Sequence, residues 1–354
     1  MSVDLYNPRR MMQALIQRKP PRSFLRQMCS RRDEFSDAEL IDVDVKTGQR
    51  RLAPFVNPKA PGKVVDRIGF QTRIYTPPLV APKRPLTVSD LQKRLPGETI
   101  YSTQTADERA AILLGEDLGE LDDMIARREE WMIARAVFDS AIEISADDFD
   151  GTISFPRDAT VTVGTLGTDD QWNKSTANIV GNIRDWRRRV IKLTGIAPDF
   201  MICGEEAADA LVNAPSLKGL TGALNTLRMD LGQIKPELRE GGATYYGMFA
   251  GTGIDVWGYD EWYVDPADGE EKPMVPPKKI LLGSSQAYAA MRYGAVGVTS
   301  GLDGNAQLAL VAGRRVPESW IEKEPAVRFL KVSARPLFVP VQNDAFLTAQ
   351  VVAD

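Results

Sequence analysis

Apolar residues recur at helical spacing along one long stretch of the chain. Leu114, Leu118, Leu121, Ile125 and Met132 form one stripe, and Met124, Trp131, Phe138 and Ile142 form an adjoining one, through to about Ile144. Proline is absent from Gly97 to Phe155, and Thr105-Ala-Asp-Glu108 has the spacing of a capping box. The pattern predicts a helix over about 105–144, roughly 60 Å long at 1.5 Å per residue. Gly115 and Gly119 lie on one face near its start; in so acidic a segment this spacing points to close packing or a bend, not to association in a membrane. A hairpin is expected next, Thr152 to Phe155 against Thr160 to Val163. A second amphipathic helix follows, in which Ile179, Ile183, Trp186, Val190 and Leu193 step by four and three and Gly195 supplies the stop. Beyond Pro198 the period shortens. Phe200 to Cys203 reads as a buried strand leading through Gly204 into a helix from Glu205 to Val212. Thr244 to Ala250, Ile254 to Tyr259, Glu261 to Val264 and Ile280 to Leu282 read as further strands, as do Ala326 to Pro340 and Ala345 to Val352 around a Gln342-Asn343-Asp344 turn.

Two N-terminal segments break this rhythm. From Lys46 to Glu98 there are eight prolines, and eleven basic residues face three acidic ones. Proline at that density opposes helix and favours extended chain. Within it Ile68, Phe70, Thr72 and Ile74 alternate with Arg67, Gly69, Gln71 and Arg73, the period of a strand with one wet face. About fifty such residues exceed ordinary loop lengths and imply a dedicated contact, such as one with another subunit. Ahead of it, Met1 to Arg32 carries eight basic residues against Asp4 alone, a basic arm whose Met11, Met12, Leu15, Ile16, Phe24, Leu25 and Met28 give it the means to dock.

Charge as a total hides this division: 44 basic and 48 acidic residues leave a net −4 over 354 residues. Histidine is absent, which removes the commonest general base and metal ligand and with them Ser-His-Asp, Cys-His and histidine-based metal sites within one chain. Cys29 and Cys203 are far apart in sequence and form neither a disulfide framework nor a thiolate cage; Cys203 fits a small buried hydrophobe. A reducing place of synthesis fits, and neither a signal peptide nor a membrane span is expected. Gly251-x-Gly253 precedes strand-like residues, not a helix, and no Gly-Lys-Ser/Thr or Gly-x-Ser-x-Gly occurs. Asp265 to Glu271 has the wrong carboxylate spacing for a calcium loop and reads as a hairpin tip. Asp122-Asp123 and Glu129-Glu130 on the long helix read as solvated, or as salt-bridged to a partner. Arg184, Arg187, Arg188, Arg189 and Lys192 form a basic face on the second helix, either solvated or set against a polyanion or an acidic neighbour.

Arm, extended basic loop, very long helix, α/β unit and terminal strands follow one another in an order that resembles the tailed-phage major capsid proteins of the Hong Kong 97 fold type. Local sequence narrows this. Thr76-Pro-Pro-Leu-Val-Ala-Pro-Lys-Arg-Pro-Leu-Thr-Val with Leu91-Gln-Lys-Arg-Leu-Pro96, Leu281-Leu-Gly-Ser-Ser-Gln-Ala-Tyr-Ala-Ala-Met-Arg-Tyr-Gly294, Arg314-Arg-Val-Pro-Glu-Ser-Trp320, Glu324-Pro-Ala-Val-Arg-Phe329 and Ser333-Ala-Arg-Pro-Leu337 resemble the phage lambda major capsid protein E family. The first 45 residues match by character only, and Asn213 to Gly242 departs from the pattern.

The resemblance implies an α+β fold with an N-terminal arm (1–45), an E-loop (46–98), a peripheral domain (99–196) holding a spine helix, an axial domain (197–312) and C-terminal peripheral strands (313–354). It implies a structural protein with no enzymatic activity and no cofactor, forming pentamers and hexamers of an icosahedral shell around double-stranded DNA. A portal protein, scaffold and decoration proteins would be further partners, with assembly in the host cytoplasm and residence in the virion. Arg67, Phe70, Arg73, Tyr75, Lys83 and Arg84 of the E-loop would meet a neighbouring subunit, the basic ones near Glu116, Asp117 and Glu120 of its spine helix. Arg9, Arg10, Arg18, Lys19, Arg187 and Arg188 would face DNA or make arm contacts. Lys59 or Lys63 would be the lysines for a covalent cross-link. A nucleic-acid-binding or packaging accessory protein using the arm and the Arg184 to Lys192 face is the alternative, and an enzyme of unknown class the least favoured.

Overall fold

A computed structural model describes residues 6–17, 23–30, 32–45, 52–57, 61–67, 69–93, 105–146, 149–214, 237–239, 242–249, 252–300, 307–324 and 326–353. They form an α+β fold with six α-helices among them: α1 (Pro8–Gln17), α2 (Phe24–Cys29), α3 (Val88–Gln92), α4 (Ala106–Phe138), α5 (Ile179–Thr194) and α6 (Glu205–Asn213). The capping box opens α4 as its spacing dictates. Thr105 N–H donates to Glu108 at 2.8 Å and Glu108 N–H donates back to the Thr105 hydroxyl oxygen at 3.3 Å. At 33 residues α4 runs about 50 Å.

It stops six residues before the expected end. After Phe138 the chain passes through Ser140 at φ 58° and enters the strand Ala141–Ala146, paired with Phe149–Ser154. Ile142 lies four residues after Phe138, so its place in a strand of period two coincides with the helical phase and disguised the boundary. The expected hairpin of 152–155 with 160–163 therefore does not form; Thr162–Thr165 instead joins the large sheet parallel to Leu347–Gln350.

That sheet has seven strands in the order Thr162–Thr165, Leu347–Gln350, Lys279–Gly283, Phe200–Cys203, Ile254–Tyr259, Ala243–Phe249 and Glu237–Arg239. Its central strand is buried on both faces, which explains the continuous apolar run Phe200-Met-Ile-Cys203. Met201 and Cys203 point to one side, with Ile280, Leu282, Ile183, Trp186, Val190, Ala207 and Leu211, so α5 and α6 cover that face. Phe200, Ile202 and Leu281 point to the other, with Phe24, Leu25, Met132, Ile133, Val137 and Phe138, so α2 and the C-terminal half of α4 cover that one. Gly195 closes α5 at φ 82°. The apolar cluster joining α5 to this sheet spans both sides of position 196. Gly204 could carry no side chain, because a Cβ there would lie 2.3 Å from the Pro276 carbonyl oxygen.

The N-terminal half of α4 has a third cluster of its own. Leu114, Leu118, Leu121 and Ile125 pack against Met11 and Leu15 of α1 and against Leu330, Val332 and Ala334. The last three belong to or adjoin a three-stranded sheet ordered Val316–Glu322, Val327–Ser333, Lys83–Thr87. The N-terminal segment thus docks along α4, and Arg32–Phe35 extends a second sheet with Ala289–Tyr293 and Pro336–Pro340.

Two expectations for 46–98 change. A helix does form, α3, in the proline-free gap between Pro85 and Pro96, with Thr87 N–H donating to Asp90 at 3.0 Å. The alternating strand is Gln71–Tyr75, paired with Ile41–Val45, yet its apolar side points outward: Phe70 and Ile74 are each 64 % exposed, while Arg73 and Tyr75 are half-buried. Alternation fixes which residues share a face, and only the neighbours decide which face is covered. Ile68 lies outside the described residues.

Candidate assembly surfaces

The acidic residues of α4 divide by face. Asp117, Asp122, Glu129 and Glu130 are buried, so Asp122, Glu129 and Glu130, expected in solvent or salt-bridged to a partner, are structural. Glu129 accepts from Arg26 at 2.5 Å, Arg315 at 2.6 Å and the Tyr293 hydroxyl at 3.0 Å, and Arg315 donates its Nε–H to Asp122 at 2.6 Å. Glu130 accepts the backbone N–H groups of Leu25 and Arg26 at 2.5 and 3.2 Å and the Tyr259 hydroxyl at 3.1 Å. Ser23 makes no side-chain cap at the start of α2, so the Glu130 carboxylate reaches across from α4 and satisfies those N–H groups in its place. Burial pushes the Glu130 carboxyl up to about 7, against these donors and the Arg26 charge. The network ties the N-terminal segment, the long helix and the C-terminal Arg315 together; nothing in the sequence pairs Arg26 or Arg315 with these acids.

Arg84 donates to Asp117 at 2.7 Å and to Glu120 at 2.6 Å within one chain. The expectation placed these partners on a neighbouring copy. The strand Lys83–Thr87 lies beside α4 through its pairing with Val327–Ser333, so Arg84 meets these acids within its own chain. Lys83 sits over the Phe329 ring at 5.4 Å, and Tyr75 packs on Phe155 with ring centroids 5.6 Å apart. Arg67, Phe70, Glu116 and Glu120 are exposed. Arg10 is exposed on α1; Arg18, Lys19 and Lys59 fall outside the described residues, as does the side chain of Arg9. Lys63 is exposed. On α5, Arg184 and Arg188 are exposed and Arg187 is half-buried, while Arg189 pairs with Asp185 at 2.7 Å.

Five exposed apolar side chains, Leu52, Phe55, Val56, Val64 and Val65, accompany Phe70 and Ile74 on the stretch before the Gln71–Tyr75 strand ends. A groove of about 800 Å³ lies between Pro78–Pro82, α4 and the hairpin of Trp262–Val264 with Glu271–Pro273. Met124, Trp131, Trp262 and Val264 line it, with Arg127 and Arg128 at its side. Of the apolar stripe that Met124 and Trp131 share with Phe138 and Ile142, Met124 is exposed and Trp131 half-buried, while Phe138 and Ile142 are buried. At the tip of that hairpin Lys272 bridges Asp265 and Asp268 at 2.7 and 2.6 Å. Both cysteines are buried, and burial pushes the Cys203 thiol up to about 12. Among the described residues no group of three or more acidic or thiol side chains is placed to hold a metal, and no helix is long and apolar enough to cross a membrane.

Exposed apolar side chains, a groove and charged faces are surfaces on which another molecule can dock, and known proteins offer a comparison. The chain is 24 % identical over 353 residues to the major capsid protein of Enterobacteria phage P21, covering 99 % of this chain and 100 % of that one. Its fold matches a crystal structure described as a prophage capsid protein from E. coli CFT073, with a TM-score of 0.67, 16 % identity and coverage of 98 % and 99 %. A phage-related protein from Bordetella bronchiseptica RB50 matches at a TM-score of 0.54, with 12 % identity and coverage of 98 % and 96 %. The profile described as Phage major capsid protein E matches residues 7–351. The fold is of the Hong Kong 97 type, and the chain belongs to the phage major capsid protein E family.

Proposed function

We propose that copies of this chain assemble into the pentamers and hexamers of a closed icosahedral shell enclosing double-stranded DNA, formed in the host cytoplasm and retained in the virion. Family membership gives the class of protein. The observation that carries assembly is the run of exposed apolar side chains from Leu52 to Ile74. Burying a large apolar side chain is worth about 1.5–3 kcal/mol, so a partner covering Phe70 and Ile74 gains several kcal/mol that the single chain forgoes. A neighbouring copy is that partner, with Arg67, Arg73 and Lys83 meeting acids such as Glu116 on its long helix. Portal, scaffold and decoration proteins complete the particle.

The paired substitution Phe70→Ser, Ile74→Ser tests this. Both residues are exposed, so the subunit keeps its melting temperature within about 2 °C, as surface changes do. The unsubstituted chain yields large hollow particles in negative-stain microscopy, and the variant elutes as soluble subunits. Normal shells from the variant would remove this contact from assembly. A ladder on denaturing electrophoresis of mature particles, abolished by Lys63→Arg, would add covalent cross-linking; a single band rejects it.

A further inference from the structure

Both helices that cover one face of the seven-stranded sheet carry charge, and of opposite sign. Helix α5 has Arg184, Arg187, Arg188, Arg189 and Lys192 against Asp185, five positive charges against one negative. Helix α6 has Glu205, Glu206 and Asp209 and no basic residue. They do not neutralise one another. Arg184, Arg187 and Arg188 have no acid within ion-pair distance among the described residues, and the Arg187 Nε is buried without a hydrogen-bond partner there. Glu205, Asp209 and the neighbouring Asp260 likewise have no cation within that distance among the described residues. Burial, and then the negative charges of Glu205 and Asp209, hold the Asp260 carboxyl above its usual range, as befits an acidic patch with no cation among the described residues paired to it.

Placement turns this into a direction. Helix α5 lies against the short turns Ala159–Val161 and Asn343–Ala345, which lead into the two strands at one edge of the sheet, Thr162–Thr165 and Leu347–Gln350. Helix α6 lies against Ile254–Tyr259, across the central strand Phe200–Cys203, and its acidic patch continues to Asp260 at the end of that strand. The charge on α5 itself is mostly positive and that on α6 wholly negative, and the two helices lie over different strands of the sheet. Two identical patches would repel, so a two-fold contact centred on either patch is disfavoured, whereas a head-to-tail contact pairs opposite charges and repeats from copy to copy until a ring closes.

We propose that the basic face of α5 docks on the Glu205, Asp209 and Asp260 patch of a second copy of this chain, and that this head-to-tail pairing closes the capsomer ring. The proposal rests on the shell reading above and names the surfaces that the ring uses. The loop contact at Phe70 and Ile74 is separate from it, since those residues lie on the Gln71–Tyr75 hairpin and not on this sheet.

Two charge-reversed chains test it. One carries Arg184→Glu and Arg188→Glu; the other carries Glu205→Lys and Asp209→Lys. All four positions are exposed, and circular dichroism with a melting curve establishes that each variant is folded. Each alone is expected to lose assembly and run as a single subunit-sized peak. One chain bearing all four changes is expected to regain it. Mixing the two separate variants is also expected to restore rings, but only with an even number of subunits, because the two chains must alternate; native mass spectrometry should show mixed hexamers and no mixed pentamers. If the single variants assemble as the parent does, or if folded variants are rescued by neither the swap nor the mixture, the proposal is overturned. It is overturned also if assembly is unchanged while salt-dependent binding to a short DNA duplex is lost, which would give the α5 face to a polyanion. If the unsubstituted chain forms no particles, the shell reading itself fails and this pairing with it.

Discussion

Arg315 shows how much one side chain can hold in this protein. Its guanidinium spans Asp122 and Glu129 at 2.6 Å each, and all three are buried. Replacing it by methionine roughly keeps the volume but strands the Asp122 carboxylate away from water and leaves Glu129 to Arg26 and Tyr293, and such losses cost about 3–5 kcal/mol. Arg315→Met should therefore lower the urea midpoint well beyond any surface substitution. Glu130 makes a different prediction, about pH. Its ordinary value is 4.5 and the folded value is about 7. Between them the native state holds a proton that the unfolded chain has already released, so rising pH favours unfolding. The contribution of this carboxyl to stability is fullest below about pH 4.5, falls across the interval to about 7 and is level above it. Glu130→Gln should flatten the dependence of stability on pH in that window; an unchanged slope would place the titrating group elsewhere. Residue types and their tendency to pair were legible in the sequence, as with Arg84 and Asp117. Which atoms meet was not, since Arg26 and Arg315 reach Glu129 from positions more than a hundred residues away.

Elements with both a periodic face and a local end signal were read closely. Helix α5 begins at Ile179 and stops at Gly195, and α4 starts at its capping box. Gly195→Ala should confirm the stop: a left-handed φ costs an L-residue about 1–2 kcal/mol, so the melting temperature should fall while the helix content stays the same. The end of α4 lacked such a signal, and Ile142 matched two periods at once. In the proline-rich segment the opposite happened. Its prolines argued against helix, but Thr87 and Asp90 supply the caps for one short turn where proline is absent. Local chemistry sets where an element can start or stop; it does not choose between elements that satisfy the same pattern.

The whole molecule is organised around α4, which belongs to two apolar clusters, one at each half. The first thirty residues cover part of both, through Met11 and Leu15 on the N-terminal half and Phe24 and Leu25 on the other. A chain beginning after Ser30 would expose Leu114, Leu118 and Ile133 and leave Glu130 without its backbone donors. It should lose its cooperative unfolding transition and bind a hydrophobic dye, and a sharp transition at the parent temperature would show that the segment is an appendage. The basic character of this segment suggested an arm, and its apolar residues suggested docking; the structure joins the two, with Arg10 exposed, Arg26 turned in to Glu129, and Met11 and Leu25 buried. By itself the sequence determined the long capped helix, the buried central strand, the absence of histidine chemistry and the resemblance to a capsid family. Each of these follows from local periodicity, residue type or motif. Tertiary structure alone decided which carboxylates are buried, that Arg84 is satisfied within its own chain and that Phe70 and Ile74 face outward. A side chain's neighbours come from distant parts of the chain, and burial and charge pairing are set by those neighbours.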